Sequence, residues 1–199
     1  MNSRSDVNRI AGIIIAAGES KRLKGNLKQL LPWRGKPLIS HSINVANNCD
    51  LFPILVILGA YSNIISPEID PKKAIIVENK NWKNGKGTSI SLGFRSLPLD
   101  VTSAIVFVVD QPFLSKNLVI AMINMNAKSK TDIIVPIVDG IQCNPVLFNR
   151  NVFPDLIQLN DKEGGRDLFA KYSVEKIYWE DKRILLDIDT AEDFVVLTD

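Results

Sequence analysis

Ile10-Ala11-Gly12-Ile13-Ile14-Ile15-Ala16-Ala17-Gly18-Glu19-Ser20-Lys21-Arg22-Leu23 is the stretch from which the architecture can be read. Its apolar part is too short to cross a bilayer, which takes roughly 20 apolar residues. A continuous rather than alternating apolar run fits a strand buried on both faces, as in a parallel sheet covered by helices. Gly18 then permits a tight turn and close backbone approach to a ligand. In an open parallel sheet, ligands bind beyond the carboxyl ends of the strands. Backbone amides and the Ser20 hydroxyl there would meet phosphate oxygens. Arg22 would act as a bidentate fork and Lys28 as a point charge. On spacing alone, a solvated basic loop explains these residues nearly as well.

Outward from this stretch, apolar runs of strand length recur at Phe52–Leu58, Ala74–Val77, Ala104–Val109 and Ile133–Val138. Helical patterns separate them at Leu38–Asn48, Thr88–Leu97 and Ser115–Lys128, with Ser115 as the N-cap of the third. The βαβ alternation predicts an α/β fold: a three-layer α/β/α sandwich on a mostly parallel central sheet, in one domain. Past residue 140, Pro145–Phe148 and Val174–Tyr178 read as short strands around a helix near Asn151–Leu159. Ile184–Ile188 reads as a further strand, running into a capping box, Thr190-Ala191-Glu192-Asp193, that opens a final helix. Met1–Asn8 reads as a loose polar tail.

Composition narrows the function. The chain has 199 residues, 46% hydrophobic and 23% charged, and its net charge of +2 is too small for nucleic-acid binding by bulk electrostatics. Cys49 and Cys143 lie far apart with no CxxC partner, which leaves a zinc site or disulfide framework without support. His41, the single histidine, sits in a helical pattern and reads as structural. With no run long enough to span a membrane, the reading is a cytoplasmic protein. The Walker pattern is absent: Gly35-Lys36 is followed by Pro37, and Gly85-Lys86 by Gly87. The turn after Ala16 also lacks GxGxxG.

The compound pattern Ala16-Ala17-Gly18-x-Ser20-x-Arg22-Leu23 … Lys28-x-Leu30-Leu31-Pro32-x-x-Gly35-Lys36-Pro37-Leu38 resembles the signature of the molybdopterin nucleotidyltransferases. These belong to the glycosyltransferase-A-like NTP transferases, whose Rossmann-like fold the resemblance implies. Further segments match in order. Trp82-x-x-Gly85-x-Gly87-x-Ser89-Ile90 resembles the segment that closes over the nucleotide, and Val109-Asp110-Gln111-Pro112 the turn that holds magnesium. Asp187-Ile188-Asp189-Thr190-x-Glu192-Asp193 resembles the motif that completes the metal site. Asn144–Phe148 and Gly164–Leu168 fit acceptor-side segments. Two departures stand out. Arg-Met-Gly of many members is Arg22-Leu23-Lys24 here, and Gly-Asp-x-Gly-x-Arg reads Asn160-Asp161-Lys162-Glu163-Gly164-Gly165-Arg166.

The resemblance implies an NTP transferase domain over residues 9–199, with a nucleotide half (9–112) and an acceptor half (113–199). Ala16-Ala17-Gly18 is the cytidylyltransferase form of the loop, so it implies transfer of CMP from CTP to the phosphate of molybdenum-bound molybdopterin. Lys28, Arg22 and Asp110 are the implied catalytic residues. Ala16, Ala17, Gly18, Ser20, Gly87 and Ser89 would bind nucleotide with them, and Asp110 and Asp189 would hold Mg²⁺. Gln111, Asn144 and Arg166 would meet the acceptor, and a molybdenum hydroxylase apoenzyme would be the downstream partner. The residues leave alternatives open. Asp187 rivals Asp189 as ligand, Asp189 could simply cap a helix, and Trp82 reads more naturally as lid packing. At the level of function, transfer to a sugar or alditol phosphate, use of GTP, an NAD(P)H-dependent reductase and a non-catalytic cofactor carrier also fit the scaffold.

Overall fold

A computed structural model describes residues 9–23, 25–161 and 163–198. The expected tail Met1–Asn8, and Lys24 and Lys162 in the two departures, lie outside the described residues. The strands are β1 (Ile10–Ala16), β2 (Pro32–Trp33), β3 (Lys36–Pro37), β4 (Ile54–Leu58), β5 (Ile75–Glu78), β6 (Ser103–Val108), β7 (Ile133–Val138), β8 (Ile141–Gln142), β9 (Val146–Asn149) and β10 (Val174–Tyr178). The α-helices are α1 (Leu38–Asn47), α2 (Ser62–Ile65), α3 (Lys86–Arg95), α4 (Lys116–Lys128), α5 (Phe153–Gln158) and α6 (Ala191–Thr198).

One mixed sheet runs in the order β10-β7-β9-β6-β1-β4-β5, with β8 paired to β7. Strands β6, β1, β4 and β5 are mutually parallel, and β10 is parallel to β7. Strand β9 runs antiparallel between β6 and β7. The sequence reason is visible in β1. Ile13 and Ile14 point to opposite faces and are both fully buried, so neither face can be wet. Ile14 joins the cluster that contains Ile39 and Ile43 of α1 with Leu118 and Met122 of α4. Ile13 joins the other, with Phe94 of α3 and Leu156 of α5. Each such side chain contributes about 1.5–3 kcal/mol on full burial, which fixes the strand between two helical layers. Ser115 caps α4 as expected, its hydroxyl accepting from the Leu118 amide at 3.3 Å.

A third apolar cluster lies off the sheet. Leu23, Leu31, Trp33, Leu38 and Ile188 are buried together, with Phe113 and Phe194 packed against them. Trp33 and Phe113 meet edge to face at 5.2 Å between ring centroids. This cluster joins the first loop, the turn after β6 and the C-terminal segment, which lie far apart in sequence.

One expected strand is corrected. Ile184–Ile188 does not pair in the sheet; Lys182–Leu185 forms a 3-10 turn instead, and the residues after it are irregular. Asp181 starts that turn by accepting from the Arg183 amide at 3.1 Å. The segment lies across the turn after β6, with Ile188 N–H donating to the Asp110 carbonyl at 2.9 Å. No helix among the described residues is long and apolar enough to cross a membrane.

Candidate active site

The loop after β1 is built by two side chains that hold its backbone. Gln29 is buried, and its Nε2 donates to the carbonyls of Ala16 at 2.8 Å and Gly18 at 3.1 Å. Ser20 Oγ accepts from the Lys28 amide at 3.0 Å, which places Lys28 at the start of its short 3-10 helix. The sharp turn expected at Gly18 occurs at Ser20, whose φ of 57° is in the left-handed region. Gly18 has a different use: a Cβ there would touch no atom within 4 Å, so its bare backbone faces open cleft. Ser20 therefore shapes the loop, with its hydroxyl already engaged by protein.

Four charged groups from three distant segments converge at the mouth of this cleft. Lys28 Nζ lies 3.2 Å from Asp110 Oδ2 and 2.7 Å from Asp189 Oδ1. Arg22 binds the other oxygen of Asp189 at 2.9 Å. Lys28 beside it holds the Asp189 carboxyl below the usual carboxylate range, and Arg22 adds to the effect. A capping box fixes Asp189 from behind. Asp193 Oδ2 accepts from the amides of Asp189 at 3.0 Å and Thr190 at 2.8 Å, and Thr190 Oγ1 accepts from Asp193 N–H at 3.1 Å. The box opening α6 is thus as expected, with Asp193 in the Glu position.

Asp110 Oδ1 is buried without a hydrogen-bond partner among the described residues. A buried carboxylate oxygen left unpaired is costly, and a cation is the group that would satisfy it. Asp110 and Asp189 already share the Lys28 ammonium, so the geometry fits a positive ion between them. No group of three or more His, Cys, Asp or Glu able to hold a metal occurs among the described residues. A pair of carboxylates completed by phosphate oxygens and water is the mode that suits Mg²⁺. Asp187 stands aside, lining the neighbouring cleft, and burial followed by repulsion from Asp110 pushes its carboxyl up to about 6.

Two adjoining clefts frame the charges. The first, about 330 Å³, is lined by Ala16, Ala17, Gly18, Ser20, Arg22, Lys28, Trp82, Ser89, Asp110 and Asp189 among others. The second, about 370 Å³, has an apolar wall of Val106, Val146 and Phe148 and a polar rim that includes Asn144, Arg166 and Asp187. Ile15, Lys86 and Val108 line both. The structure therefore brings together all but two of the expected site residues. Gly87 lines neither cleft. Its amide donates to the Asp161 carbonyl at 2.9 Å, and a Cβ there would lie 2.6 Å from the Asn160 carbonyl oxygen. Gln111 is buried, donating to the Ile184 carbonyl at 3.1 Å and hydrogen-bonding Asp187.

Residues the sequence reasoning passed over are Gln29 and Lys86. Gln29 left only a faint signal, a polar residue between Lys28 and the apolar Leu30. Trp82 lines the first cleft and packs on Gly59, where a Cβ would lie 2.6 Å from the Trp82 Cβ. His41 is structural as read, its Nε2 donating to the Leu114 carbonyl at 2.9 Å.

Residues 12–177 match the MobA-like NTP transferase domain. The chain belongs to that family. Among MobA-like relatives, the molybdenum cofactor cytidylyltransferase of Escherichia coli K12 is 25% identical over 185 residues, 92% of each chain. The nicotine blue oxidoreductase of Paenarthrobacter nicotinovorans is 30% identical over 111 residues, 56% of this chain and 54% of that protein. The match thus spans about half the length of that relative. The crystal structure of Rv0371c from Mycobacterium tuberculosis H37Rv superposes with a TM-score of 0.85 at 23% identity, covering 96% of this chain and 97% of that one. The same protein has also been solved in complex with manganese, with a TM-score of 0.79. These likenesses establish the MobA-like fold, a mostly parallel sheet between helices.

Proposed function

We propose that the chain is a Mg²⁺-dependent cytidylyltransferase of molybdenum cofactor maturation in the cytoplasm, transferring CMP from CTP to the phosphate of molybdenum-molybdopterin. The observation that carries this reading is the pair of clefts sharing one wall. One holds the glycine loop, four cations (Lys21, Arg22, Lys28 and Lys86) and two carboxylates; the other joins an apolar face to Asn144 and Arg166. An acceptor phosphate oxygen attacks the α-phosphorus, the bond to the bridging oxygen breaks, and pyrophosphate leaves. The acceptor's second phosphate pKa is near ~6, so it arrives largely ionised and needs no strong base. Asp110 and Asp189 would hold the ion, which when bound offsets charge on the triphosphate. Lys28 and Arg22 stabilise the charge shifted toward the leaving pyrophosphate. Gly18 leaves room for a phosphate against the backbone, and Ala16 and Ala17 lie along the nucleoside.

The identity with a relative named nicotine blue oxidoreductase favours a second reading, reduction with a nicotinamide nucleotide. A thermal-shift panel separates the two. A ligand at 100 times its Kd stabilises by about 2.7 kcal/mol, roughly 5–10 °C at this length. The transferase reading expects a Mg²⁺-dependent rise that is largest with CTP. A rise with NADH or NADPH alone would overturn it in favour of the reductase, and a larger rise with GTP would overturn the choice of base.

A further inference from the structure

We propose that Lys86 binds the acceptor's phosphate where the two clefts meet, and so selects phosphorylated acceptors. This rests on the transferase reading above and adds to it a specificity-determining residue. Lys86 is the first residue of α3, is exposed, and lines both clefts. Its chain reaches toward the acceptor loop. A Cβ placed on Gly164 would lie 3.1 Å from Lys86 Cε and 3.2 Å from Nζ, so the glycine leaves room for the ammonium to lie there.

The charge inventory of the clefts singles it out. Lys28 and Arg22 are held by Asp110 and Asp189, and Lys21 by Glu19. Among the described residues, Lys86 and Arg166 are the cleft cations with no carboxylate within ion-pair distance. Asp167 and Asp187 line the same cleft as Lys86 without pairing to it. Arg166 lines the acceptor cleft alone, whereas Lys86 stands on the shared wall. In-line transfer requires the acceptor's phosphate to sit at that junction, against the α-phosphorus. A lysine there supplies a point charge with three donors for two crowded anions.

The backbone under Lys86 is fixed in a way that gives this side chain a defined origin. Gly85 has a φ of +135°, and a Cβ on it would lie 2.1 Å from the Asp161 carbonyl oxygen. Gly87 donates its amide to the same carbonyl at 2.9 Å. The two glycines thus clamp Lys86 onto the loop that leads to Gly164 and Arg166.

The test is a binding titration of a hydroxymethylpterin phosphate and of the same pterin without its phosphate, on the whole protein. Wild type, Lys86→Met and Lys86→Arg are compared, with CTP binding in Mg²⁺ measured separately. The proposal expects wild type to prefer the phosphorylated form. Lys86→Met should lower that preference roughly tenfold to a hundredfold, the range of a charge-assisted hydrogen bond. Lys86→Arg should keep most of it, and CTP affinity should stay within about twofold throughout. No phosphate preference in wild type, or an unchanged preference in Lys86→Met, overturns it. So does a parallel loss of CTP affinity, which would assign Lys86 to the triphosphate. Failure of the transferase reading would show elsewhere, as absence of Mg²⁺-dependent CTP binding in the wild type.

Discussion

Asp110 carries an unpaired buried oxygen and faces Asp187, whose carboxyl is pushed up partly by Asp110 itself. Both features are unfavourable for folding, and a cation held at Asp110 would relieve them. Asp110→Asn keeps the shape and removes the charge. Transfer should fall to below about one-hundredth while Tm holds or rises; normal turnover would remove the metal assignment. Gln29 works in the opposite sense, as structure in service of the site. Gln29→Leu keeps the volume but leaves the carbonyls of Ala16 and Gly18 without their donor. A loss of about 2 kcal/mol is expected, roughly 4–8 °C in Tm at this length, together with weaker CTP binding. An unchanged CTP affinity would show that the loop holds its shape by itself.

At the scale of elements, Asn160, Asp161 and Glu163 dock on the start of α3. Gly87→Ala would set a Cβ 2.6 Å from the Asn160 carbonyl oxygen and 2.9 Å from that of Glu163. Both are backbone atoms, so the acceptor loop must shift, at about 1–3 kcal/mol. The acceptor KM should rise roughly tenfold or more with the CTP affinity nearly unchanged; a loss confined to CTP would return Gly87 to the nucleotide side. The main elements were legible because continuous apolar runs admit few alternatives in a sheet covered on both faces. Ile184–Ile188 was misread since its apolar residues serve separate clusters, Ile184 beneath the sheet's helices and Ile188 among the loops. Composition cannot report that division. The charged residues of the site were legible from the family pattern, whereas Gln29 and Lys86 act through contacts to backbone and cleft walls that no spacing encodes.

Across the whole molecule, His41 offers a check on packing between α1 and the turn before α4. Burial, aided by Arg34, holds its imidazole below the ordinary value, against the hydrogen bond to Leu114. The unfolded chain therefore takes up a proton that the folded chain refuses. The stability so contributed is complete above about pH 6.5, the ordinary histidine value, and is lost as pH falls below it. Tm should drop between pH 7.5 and 5.5 more steeply in wild type than in His41→Gln; equal slopes would relieve the ring of that role. The third apolar cluster has a consequence for how the protein is made. Leu23 and Ile188 bury each other's surroundings, and Lys28 meets Asp189 across almost the full length of the chain. The strand that carries the glycine loop is synthesised first, and the second carboxylate follows it 161 positions after Lys28. A nascent chain that has already sheltered the core of its first strands thus holds Lys28 without Asp189, and the charge cluster closes only once the later segment folds back onto the loop.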